Sequence, residues 1–401
     1  MVKVLTSCVA CGNRNLRRIL DLGAQPLANE YLSDLAPRTS YPLCLNLCES
    51  CTHLQLSVSV NPDILFRNYF YVSSTSKVLS DYFMDLKNRI LQEFGSKGYL
   101  LDIGSNDGTF ISKFNDTEWE TLGVDPAANL APNAAEIGVR TLSAFYNTSA
   151  ASLLRDNFNV AVAMNVFAHT DNPIEILNAL KLNVAESGSV FIQTSQANMI
   201  INGEFDTIYH EHISFFNVKS MKALLARAGW ELGEVSIVDV HGGSYLWKIS
   251  RKSEKQRAFH GREEEEMKSG LYDLEIYLSF ADRCQVIVSE VKEIVEKLRT
   301  QGYKIATYGA AAKGNTFLNF ASITPDFIFD DTPLKIGKYS PVSNIVVSNP
   351  KEMKNLNDKI LFIIPAWNFS TEIKEKISRL RVRSGKDFLL TYFPKREVES
   401  L

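Results

Sequence analysis

The central part of the chain alternates short apolar runs with segments of helical periodicity. Mainly apolar runs occur at 99–104, 121–125, 160–164 and 189–193, and residues 173–183 between the last two have helical spacing. Strands that alternate with helices are typical of a parallel sheet covered by helices. The pattern therefore predicts an α/β domain of the doubly wound type in this part of the chain.

The second half repeats this pattern after a charge-rich region. Apolar positions recur at helical spacing between residues 271 and 298, which predicts one or two long helices. The acidic run Glu263–Glu266 before them is interpreted as a solvated helix face. Strands are then predicted at 303–308, 327–331 and 359–365. The C-terminal part is therefore expected to be a second Rossmann-like α/β domain.

A turn of small residues follows the first strand of this second domain. It runs from Gly309 through Lys313 to Asn315 and opens a helix. Small residues at a helix start let backbone N–H groups meet an anion, and the lysine adds positive charge. We therefore expect a second nucleotide-type site, suited to a diphosphate, at these three residues. Simple packing of a helix on a strand through alanines is the alternative interpretation.

The first strand of the central domain ends in a turn that indicates a cofactor. Asp102 and Gly104 close the strand, and Asn106, Asp107 and Gly108 follow. Dinucleotide folds prefer a glycine-richer turn that lets the backbone approach a pyrophosphate. A carboxylate in the turn is a poor neighbour for a phosphate and a better one for the ammonium or sulfonium of S-adenosylmethionine (AdoMet). These five residues are therefore predicted to bind AdoMet.

The ends of the next two strands extend this predicted site. Asp125 closes the second strand, at the distance along the chain where an acid holds a ribose diol. Asn165 follows the third strand. Because parallel strands end at one edge of the sheet, both side chains are expected beside the first turn.

Four of the six cysteines form two pairs, Cys8-x-x-Cys11 and Cys48-x-x-Cys51. Two such pairs complete a tetrahedral zinc shell, and a shell of four thiolates is usually structural. The sequence therefore predicts a structural Zn²⁺ that stabilises a small N-terminal module. The 36 residues between the pairs are expected to form loops and short strands, and they include glycine and prolines. Cys44 and His53 are spare candidate ligands, with Cys44 favoured as a packed residue.

The composition is that of an ordinary globular protein and does not indicate a particular function. The 401 residues suggest two or three domains, and 45% hydrophobic with 22% charged residues is ordinary for a globular protein. A formal net charge of -3 gives no sign of nucleic-acid or membrane-surface binding. No signal peptide or membrane-spanning run is recognised, so a cytoplasmic protein is expected.

The segment Tyr209-His210-Glu211-His212 is the main candidate for proton transfer. Two of only six histidines flank a carboxylate here, and imidazole is the usual side chain for moving a proton near pH 7. In a helical turn Tyr209 and His212 would share a face, whereas in a strand His210 and His212 would do so. The pattern alone leaves the choice of histidine open, as well as a purely turn-capping role or a metal site.

Taken together and in this order, the motifs resemble those of the sugar C-methyltransferases of deoxysugar biosynthesis, typified by the 3-C-methyltransferases that act on TDP-linked 4-keto-deoxysugars. The resemblance covers nearly the whole chain. It rests on the two cysteine pairs and on Tyr41-Pro42-Leu43, Tyr69-Phe-Tyr71-Val-Ser-Ser, Asp102-Ile-Gly-Ser-Asn-Asp-Gly108, Tyr209-His-Glu-His212, His241-Gly-Gly-Ser244 and Tyr308-Gly-Ala-Ala-Ala-Lys313.

The resemblance implies a reaction and a set of catalytic residues. A base removes a proton beside a ketone, and the enolate carbon attacks the sulfonium methyl of AdoMet. The family pattern matches Tyr71, His169, Tyr209, Glu211 and His212, with His212 favoured as the base. Tyr69, two residues from Tyr71, is an alternative for the first tyrosine. His210 departs from the family pattern, which is commonly acidic there.

The resemblance also implies how the chain is organised. A zinc module is expected at 1–68, an AdoMet-binding domain at 69–255, and a helical linker with a nucleotide-sugar-binding domain at 256–401. His241 and Ser244 are expected to bind the substrate, a nucleotide-linked sugar of the dTDP type, in a monomeric enzyme.

Two other enzyme classes are the alternatives. A sugar N- or O-methyltransferase is the first, although Asn165-Val-Phe-Ala-His169 lacks the Pro-Pro-aromatic clamp of amino-group methyltransferases. An NAD-dependent oxidoreductase of nucleotide sugars is the second, and it would be expected to have a glycine-richer first turn.

Overall fold

A computed structural model describes residues 2–75, 77–195, 198–251, 259–381 and 386–401. Contacts divide the chain into two compact units. The first unit comprises Met1–Arg17, Asn46–Ala197 and Glu211–Tyr272. The second unit comprises Arg18–Leu45, Asn198–His210 and Asp273–Leu401. The domain boundary predicted between 255 and 256 lies outside the described residues, and the predicted domain limits stay predictions.

Nineteen strands are present in the described part of the chain. In order they are β1 (Val2–Val4), β2 (Leu16–Pro26), β3 (Ser40–Cys48), β4 (Leu54–Leu56), β5 (Val58–Val60), β6 (Lys97–Ile103), β7 (Glu118–Val124), β8 (Thr141–Leu142), β9 (Phe158–Met164), β10 (Val184–Ser195), β11 (Ser214–Phe215), β12 (Glu231–Val238), β13 (Ser244–Ser250), β14 (Lys304–Tyr308), β15 (Phe327–Phe329), β16 (Val347–Ser348), β17 (Ile360–Ile363), β18 (Phe388–Thr391) and β19 (Glu397–Ser400).

Twelve α-helices lie between these strands in the same described ranges. They are α1 (Pro62–Phe66), α2 (Lys77–Phe94), α3 (Ala131–Glu136), α4 (Thr148–Ala151), α5 (Pro173–Asn183), α6 (Met199–Asn202), α7 (Val218–Ala228), α8 (His260–Lys268), α9 (Leu274–Leu278), α10 (Phe280–Thr300), α11 (Ala312–Ala321) and α12 (Ser370–Leu380). Short 3₁₀-helices occur at Ser73–Thr75, Ile111–Phe114, Phe167–His169, Phe205–Thr207, Pro350–Asn355 and Trp367–Phe369. No helix among the described residues is both long and apolar enough to cross a bilayer.

A seven-stranded sheet forms the core of the first unit. Its order is β12-β13-β10-β9-β6-β7-β8, and the five strands from β6 to β10 are mutually parallel. Strand β13 runs antiparallel to both β10 and β12. The central residues Leu101, Ala161 and Ile192 are fully buried, which accounts for the uninterrupted apolar runs in the sequence. The predicted α/β fold of this region is confirmed, including the helix at Pro173–Asn183.

The second unit contains a six-stranded sheet of order β16-β15-β14-β17-β18-β19. All neighbouring pairs are parallel except β18 with β19. The strands predicted at 303–308, 327–331 and 359–365 correspond to β14, β15 and β17, which are each somewhat shorter than predicted. The second Rossmann-like domain predicted from the sequence is therefore present.

The segment between the cysteine pairs is more ordered than predicted. Strand β2 has 11 residues and β3 has 9, so the expectation of loops and short strands is wrong. Gly23 lies inside β2 with φ +76°, and its N–H donates to Asp21 Oδ1 at 2.9 Å. A glycine with positive φ lets a strand bend without ending.

The acidic run on α8 is only partly solvated. Glu266 is 2% exposed, so the interpretation of the whole run as a solvated face is wrong at this residue. Its carboxylate accepts hydrogen bonds from Val218 N at 2.9 Å, Tyr245 OH at 2.7 Å and Tyr272 OH at 2.5 Å. The carboxylate therefore lies at the N-terminus of α7, where a negative charge is favourable.

Candidate functional site

The four paired cysteines converge in the first unit. The sulfur atoms of Cys8, Cys11, Cys48 and Cys51 all lie within 4.8 Å of one another. Two of the sulfur–sulfur distances are 3.7 Å (Cys8 to Cys51) and 3.5 Å (Cys11 to Cys48). A tetrahedron with Zn–S bonds of about 2.3 Å has edges of about 3.8 Å, so the cluster has the size of a zinc site.

The chemistry of these thiols also fits a cation. Hydrogen bonding to Cys48 and burial raise the pKa of Cys8 to about 12. Hydrogen bonds to Cys48 and Cys8, together with burial, likewise raise the pKa of Cys51. Four thiolates cannot form so close together without a compensating positive charge. The residues therefore fit Zn²⁺ held in a closed shell.

Neighbouring residues stabilise this cluster without joining it. The guanidinium of Arg227 donates to Ala10 O at 2.5 Å and so holds the first cysteine turn against the end of α7. His53 is fully buried, its Nε2 lies 3.3 Å from Ser214 Oγ, and its ring packs on Phe216. Cys44 is buried in β3 and does not belong to the four-sulfur group.

The turn after β6 has a backbone that requires glycine. Gly104 has φ +70°, and a Cβ there would lie 2.1 Å from Val166 Cγ2. Asp102, the last acidic residue of β6, is 2% exposed. Burial, reinforced by the Asp125 carboxylate, raises its pKa well above the usual range. Gly108 has φ +79° and lies close to the side chain of Val139, so this position also requires glycine.

The side chains of this turn bind a neighbouring segment of the chain. Asn106, with φ +52°, accepts from Ser73 N and donates to Tyr71 O at 3.1 Å. Asp107 accepts from Ser74 N at 3.1 Å and from the Thr109 hydroxyl at 2.6 Å. The two predicted cofactor residues thus also fix the Tyr71–Ser74 segment, a role that the sequence pattern did not indicate.

The ends of β7 and β9 lie beside this turn. Asp125 accepts from Asn106 N and from Ala127 N, each at 2.8 Å, and burial raises its pKa. A carboxylate can accept about four hydrogen bonds, so capacity remains for ribose hydroxyls. Asn165, with φ +56°, accepts from Gln193 Nε2 at 3.2 Å. The buried Oε1 of Gln193 has no hydrogen-bond partner among the described residues.

A column of stacked rings lies in the same unit. The ring of His169 stacks on His212 with centroids 5.2 Å apart, and on Phe66 at 5.6 Å. His212 also contacts the ring of Phe215 edge-on at 6.2 Å. Burial, with a smaller contribution from His241, lowers the pKa of His169 to about 4. His169 is therefore a neutral imidazole at pH 7.

Two tyrosines reach this group from the segment before α2. Tyr69 OH donates to Glu211 Oε2 at 3.1 Å, and Glu211 is 3% exposed. Tyr71 instead contacts the ring of His241 edge-on at 6.2 Å. Although 39% of Tyr71 is exposed, desolvation and the Asp107 carboxylate raise its pKa to about 12. Its hydroxyl therefore stays protonated at pH 7.

The turn between β12 and β13 contributes the two predicted substrate residues of this unit. His241 has φ +56° and is exposed. Ser244 is buried, and its hydroxyl donates to Val240 O at 3.1 Å. Ser244 therefore closes the turn, while His241 faces Tyr71.

The Tyr209–His212 segment is divided between the two units. Glu211 and His212 belong to the first unit, whereas Tyr209 and His210 belong to the second. His210 is 2% exposed, its Nε2 lies 3.3 Å from Tyr41 O, and burial lowers its pKa. It thus packs against β3 of its own unit. The segment forms a turn, so neither the helical nor the strand alternative applies.

The predicted anion site lies at the N-terminus of α11 in the second unit. Gly309 has φ +103°, and the Lys313 ammonium lies 4.5 Å from the centroid of Trp367. Asn315 is buried and donates to Ala28 O at 2.7 Å. Ala310 N already donates to Asp330 Oδ2 at 2.7 Å. One backbone N–H of the turn, that of Ala310, therefore already donates a hydrogen bond to a carboxylate.

Family models match three successive stretches of the chain. Residues 8–66 match a zinc binding domain, and residues 77–235 match a methyltransferase domain. Residues 239–394 match the C-methyltransferase C-terminal domain. The chain is an AdoMet-dependent C-methyltransferase.

Among known proteins, this C-methyltransferase is similar to C-methyltransferase NovU from Streptomyces niveus. The two are 28% identical over 96% of this chain and 95% of NovU. Partial similarity also extends to magnesium protoporphyrin IX methyltransferase from Synechocystis PCC 6803 (8% identity, 44% of this chain, 80% of that chain, TM-score 0.34). A SAM-dependent methyltransferase from Archaeoglobus fulgidus matches at 13% identity (42% of this chain, 93% of that chain, TM-score 0.35).

Several contacts of the C-methyltransferase site were not predicted. Phe66 and Gln193 were not singled out, because an aromatic residue ending a short helix and a polar residue within a strand have no distinctive sequence signal. Tyr69 was only an alternative to Tyr71, yet it is the tyrosine bonded to Glu211. The structure thus groups a carboxylate, two imidazoles and two phenols within the unit that contains the predicted cofactor turn. Such a group can accept a proton and donate hydrogen bonds to an oxyanion.

Proposed function

We propose that this C-methyltransferase acts on a nucleotide-linked 4-keto-deoxysugar of the dTDP type and methylates a carbon beside the ketone. The observation that supports this most directly is the stacking of His212 on a neutral His169, next to the Glu211–Tyr69 pair. Methylation of carbon requires a base for a C–H bond, which methylation of an amine does not.

His212 is the proposed base. A C–H bond beside a ketone is acidic enough for an imidazole to accept its proton, and the bonding electrons move onto the ketone oxygen as an enolate. Glu211 lies next to His212 in the chain and is held by Tyr69. Its negative charge stabilises an imidazolium on His212, which favours proton transfer from carbon.

Tyr71, His169 and Tyr209 are the proposed donors to the enolate oxygen or to the sugar. A phenol whose pKa is about 12 remains protonated at pH 7 and can donate a hydrogen bond. The neutral His169 can donate from one ring nitrogen without placing a second positive charge beside His212. Preorganised donors of this kind stabilise the oxyanion more than they stabilise the ketone.

AdoMet would be held by the residues that close β6, β7 and β9. The Asp125 carboxylate is the proposed partner of the ribose hydroxyls, and the Gln193 Oε1 is an unused acceptor at the same edge. Asp102, Asn106 and Asn165 shape the adjoining turns. When bound, AdoMet supplies a methyl group on a positively charged sulfur, which is the electrophile that a carbon nucleophile requires.

The remaining predicted residues are the proposed binding residues for the diphosphate and the sugar of the substrate. Lys313 and the glycine turn at Gly309 are the proposed contacts of the diphosphate, and Asn315 fixes the start of α11. His241 is the proposed contact of the sugar. Ser244 supports it by closing the same turn.

Mass spectrometry of reaction mixtures tests this proposal. The protein is incubated with AdoMet and a panel of TDP- and GDP-linked 4-keto sugars, with the corresponding 4-hydroxy sugars as controls. We expect a gain of one methyl group for a keto sugar, with loss of one carbon-bound hydrogen in the NMR spectrum. Methylation of a hydroxyl or an amino group, or turnover of the 4-hydroxy controls, would contradict the proposal.

A further inference from the structure

Asp206 is a buried carboxylate that the proposed reaction does not use. It is fully buried in the second unit, within the 3₁₀-helix Phe205–Thr207. Its Oδ2 accepts from Trp367 Nε1 at 3.2 Å and from Tyr392 OH at 3.4 Å. Its Oδ1 has no hydrogen-bond partner among the described residues. A buried carboxylate with one unpaired oxygen is costly, so a nearby positive charge is expected.

Lys313 supplies that positive charge. The ammonium lies 4.5 Å from the ring centroid of Trp367, the residue whose indole N–H donates to Asp206. Trp367 therefore contacts the carboxylate through its edge and the ammonium through its face. A hydrogen bond from the indole to a carboxylate makes the ring more electron-rich, which strengthens its attraction for a cation.

The surrounding packing fixes Trp367 and Tyr392. Tyr392 stacks on Phe317 of α11 with centroids 4.0 Å apart, and Phe393 contacts both Trp367 and Tyr392 edge-on. A Cβ on Gly314 would lie 2.4 Å from Pro365 Cβ, so α11 approaches the Trp367 segment closely. Lys313 is the residue before Gly314 in the chain, so this close approach holds it near Trp367.

Several charged and titratable groups interact with Asp206 from the elements around it. Lys313 on α11 lowers its pKa, while Glu204 raises it. Cys284 on α10 is buried with a pKa raised to about 12, and Tyr392 donates a hydrogen bond. Burial is the largest influence and brings the pKa of Asp206 to about 6. Among these groups, Lys313 supplies the positive charge that opposes the effect of burial.

We propose that Asp206 is a positioning residue that holds the Lys313 ammonium at the anion site through Trp367. This inference rests on the proposed function, in which Lys313 contacts the diphosphate of the nucleotide sugar. Loss of the carboxylate would release the ammonium from the ring face. The substrate would then bind less tightly, while the proton transfer at the keto sugar would keep its rate.

Steady-state kinetics of Asp206→Asn test the proposal with whichever keto sugar the wild-type protein methylates. We expect KM for the nucleotide sugar to rise about tenfold, while kcat changes by less than about threefold and the AdoMet dissociation constant stays the same. Trp367→Phe, which lacks the N–H donor, should behave in the same way. In a double-mutant cycle, Asp206→Asn and Lys313→Met should be non-additive. An unchanged KM or additive effects overturn the proposal.

The matched control is Asp387→Asn. Asp387 is also a buried carboxylate of the second unit, but it accepts from Ile360 N and pairs with Arg381. Its replacement should lower the melting temperature without raising KM. If Asp387→Asn raises KM as much as Asp206→Asn does, the effect is structural and the positioning role is wrong.

A second measurement needs no sugar substrate. The indole ¹⁵N–H resonance of Trp367 should titrate with a midpoint near the pKa of Asp206, about 6. Because Lys313 lowers that pKa, Lys313→Met should move the midpoint to higher pH, and Asp206→Asn should abolish the titration. A midpoint that Lys313→Met leaves unchanged refutes the coupling. This result stands whether or not the wild-type protein methylates a nucleotide sugar, so the two proposals can fail separately.

Discussion

The imidazole rings of His169 and His212 stack with centroids 5.2 Å apart and planes inclined by 22°. Only an uncharged ring is a favourable neighbour for an imidazole that must become positively charged. Burial and His241 keep His169 uncharged at pH 7, since its pKa is about 4. In the proposed mechanism, the stack therefore places no opposing charge beside His212 when it accepts the proton.

Replacement of His212 by Asn should abolish exchange of the acidic hydrogen with deuterated solvent. It should lower kcat by about a hundredfold to ten-thousandfold, the usual contribution of a general base. Deuterium incorporation into the unmethylated keto sugar, followed by NMR, is the measurement. His210→Asn is the control, because His210 is buried against Tyr41 and its loss should lower thermal stability only. Persistent exchange in His212→Asn would assign the base to another residue.

Replacement of the two tyrosines should separate their roles. Tyr69→Phe removes the donor to Glu211 and should lower kcat about tenfold. Tyr71→Phe removes a proposed donor to the oxyanion and should lower kcat by about a hundredfold. Tyr146→Phe is the control, since its hydroxyl donates to Asn183 within the core. A larger loss in Tyr69→Phe than in Tyr71→Phe would transfer the oxyanion role to Tyr69.

His169 should make folding stability depend on pH. Its pKa is about 4 in the folded protein and about 6.5 in the unfolded chain, so the unfolded chain binds the proton first as pH falls. The stability from the neutral ring is present above pH 6.5 and is lost between about 6.5 and 4. The difference in melting temperature between wild type and His169→Asn should therefore shrink over this range. A difference that widens on acidification would contradict the expectation.

Gly104→Ala should destabilise the protein by about 2–4 kcal/mol, because strain at φ +70° adds to the clash with Val166. Chemical denaturation and AdoMet binding measure the effect. Gly138→Ala is the control: its φ is +77°, but the nearest atom to a Cβ is 3.7 Å away, so only the strain remains. Val166→Ala should restore part of the loss in Gly104→Ala. If Gly104→Ala and Gly138→Ala destabilise the protein equally, the surrounding structure relieves the clash with Val166.

Metal analysis of purified protein should find about one zinc per chain. Cys48→Ser should abolish this zinc and lower the melting temperature by at least about 10 °C, since zinc binding contributes to folding. Cys44→Ala should retain the metal, because Cys44 lies outside the four-sulfur group. Retention of a full zinc equivalent in Cys48→Ser would mean that another residue is a ligand.

Regular features of the fold were predictable from the sequence. The helix Pro173–Asn183 and the parallel strands follow from periodicity and from runs buried on both faces. The cysteine cluster follows from spacing alone. In each case a local sequence pattern marks the element or the ligand pair, even where its partner lies far away in the chain.

Other features depend on contacts between residues that are distant in sequence. Glu266 lies in an acidic run of the kind usually exposed, yet it is buried because Val218, Tyr245 and Tyr272 all donate to it. His210 is buried because Tyr41 lies next to it. None of these partners can be recognised from the local sequence around Glu266 or His210. The same limit explains why Tyr69 and Tyr71 could not be distinguished before their contacts were known.

The segment between the cysteine pairs has a consequence for the order of folding. Its residues 18–45 belong to the second unit, where Tyr31 OH donates to Ala310 O across 279 residues of sequence. The zinc ligands emerge from the ribosome within the first part of the chain and can bind metal at once. The loop between β2 and β3 must wait for the start of α11 before it has its final partners, because Asn315 donates to Ala28 O and Tyr31 donates to Ala310 O. Zinc would therefore hold both ends of an early segment that is completed only by a much later part of the chain.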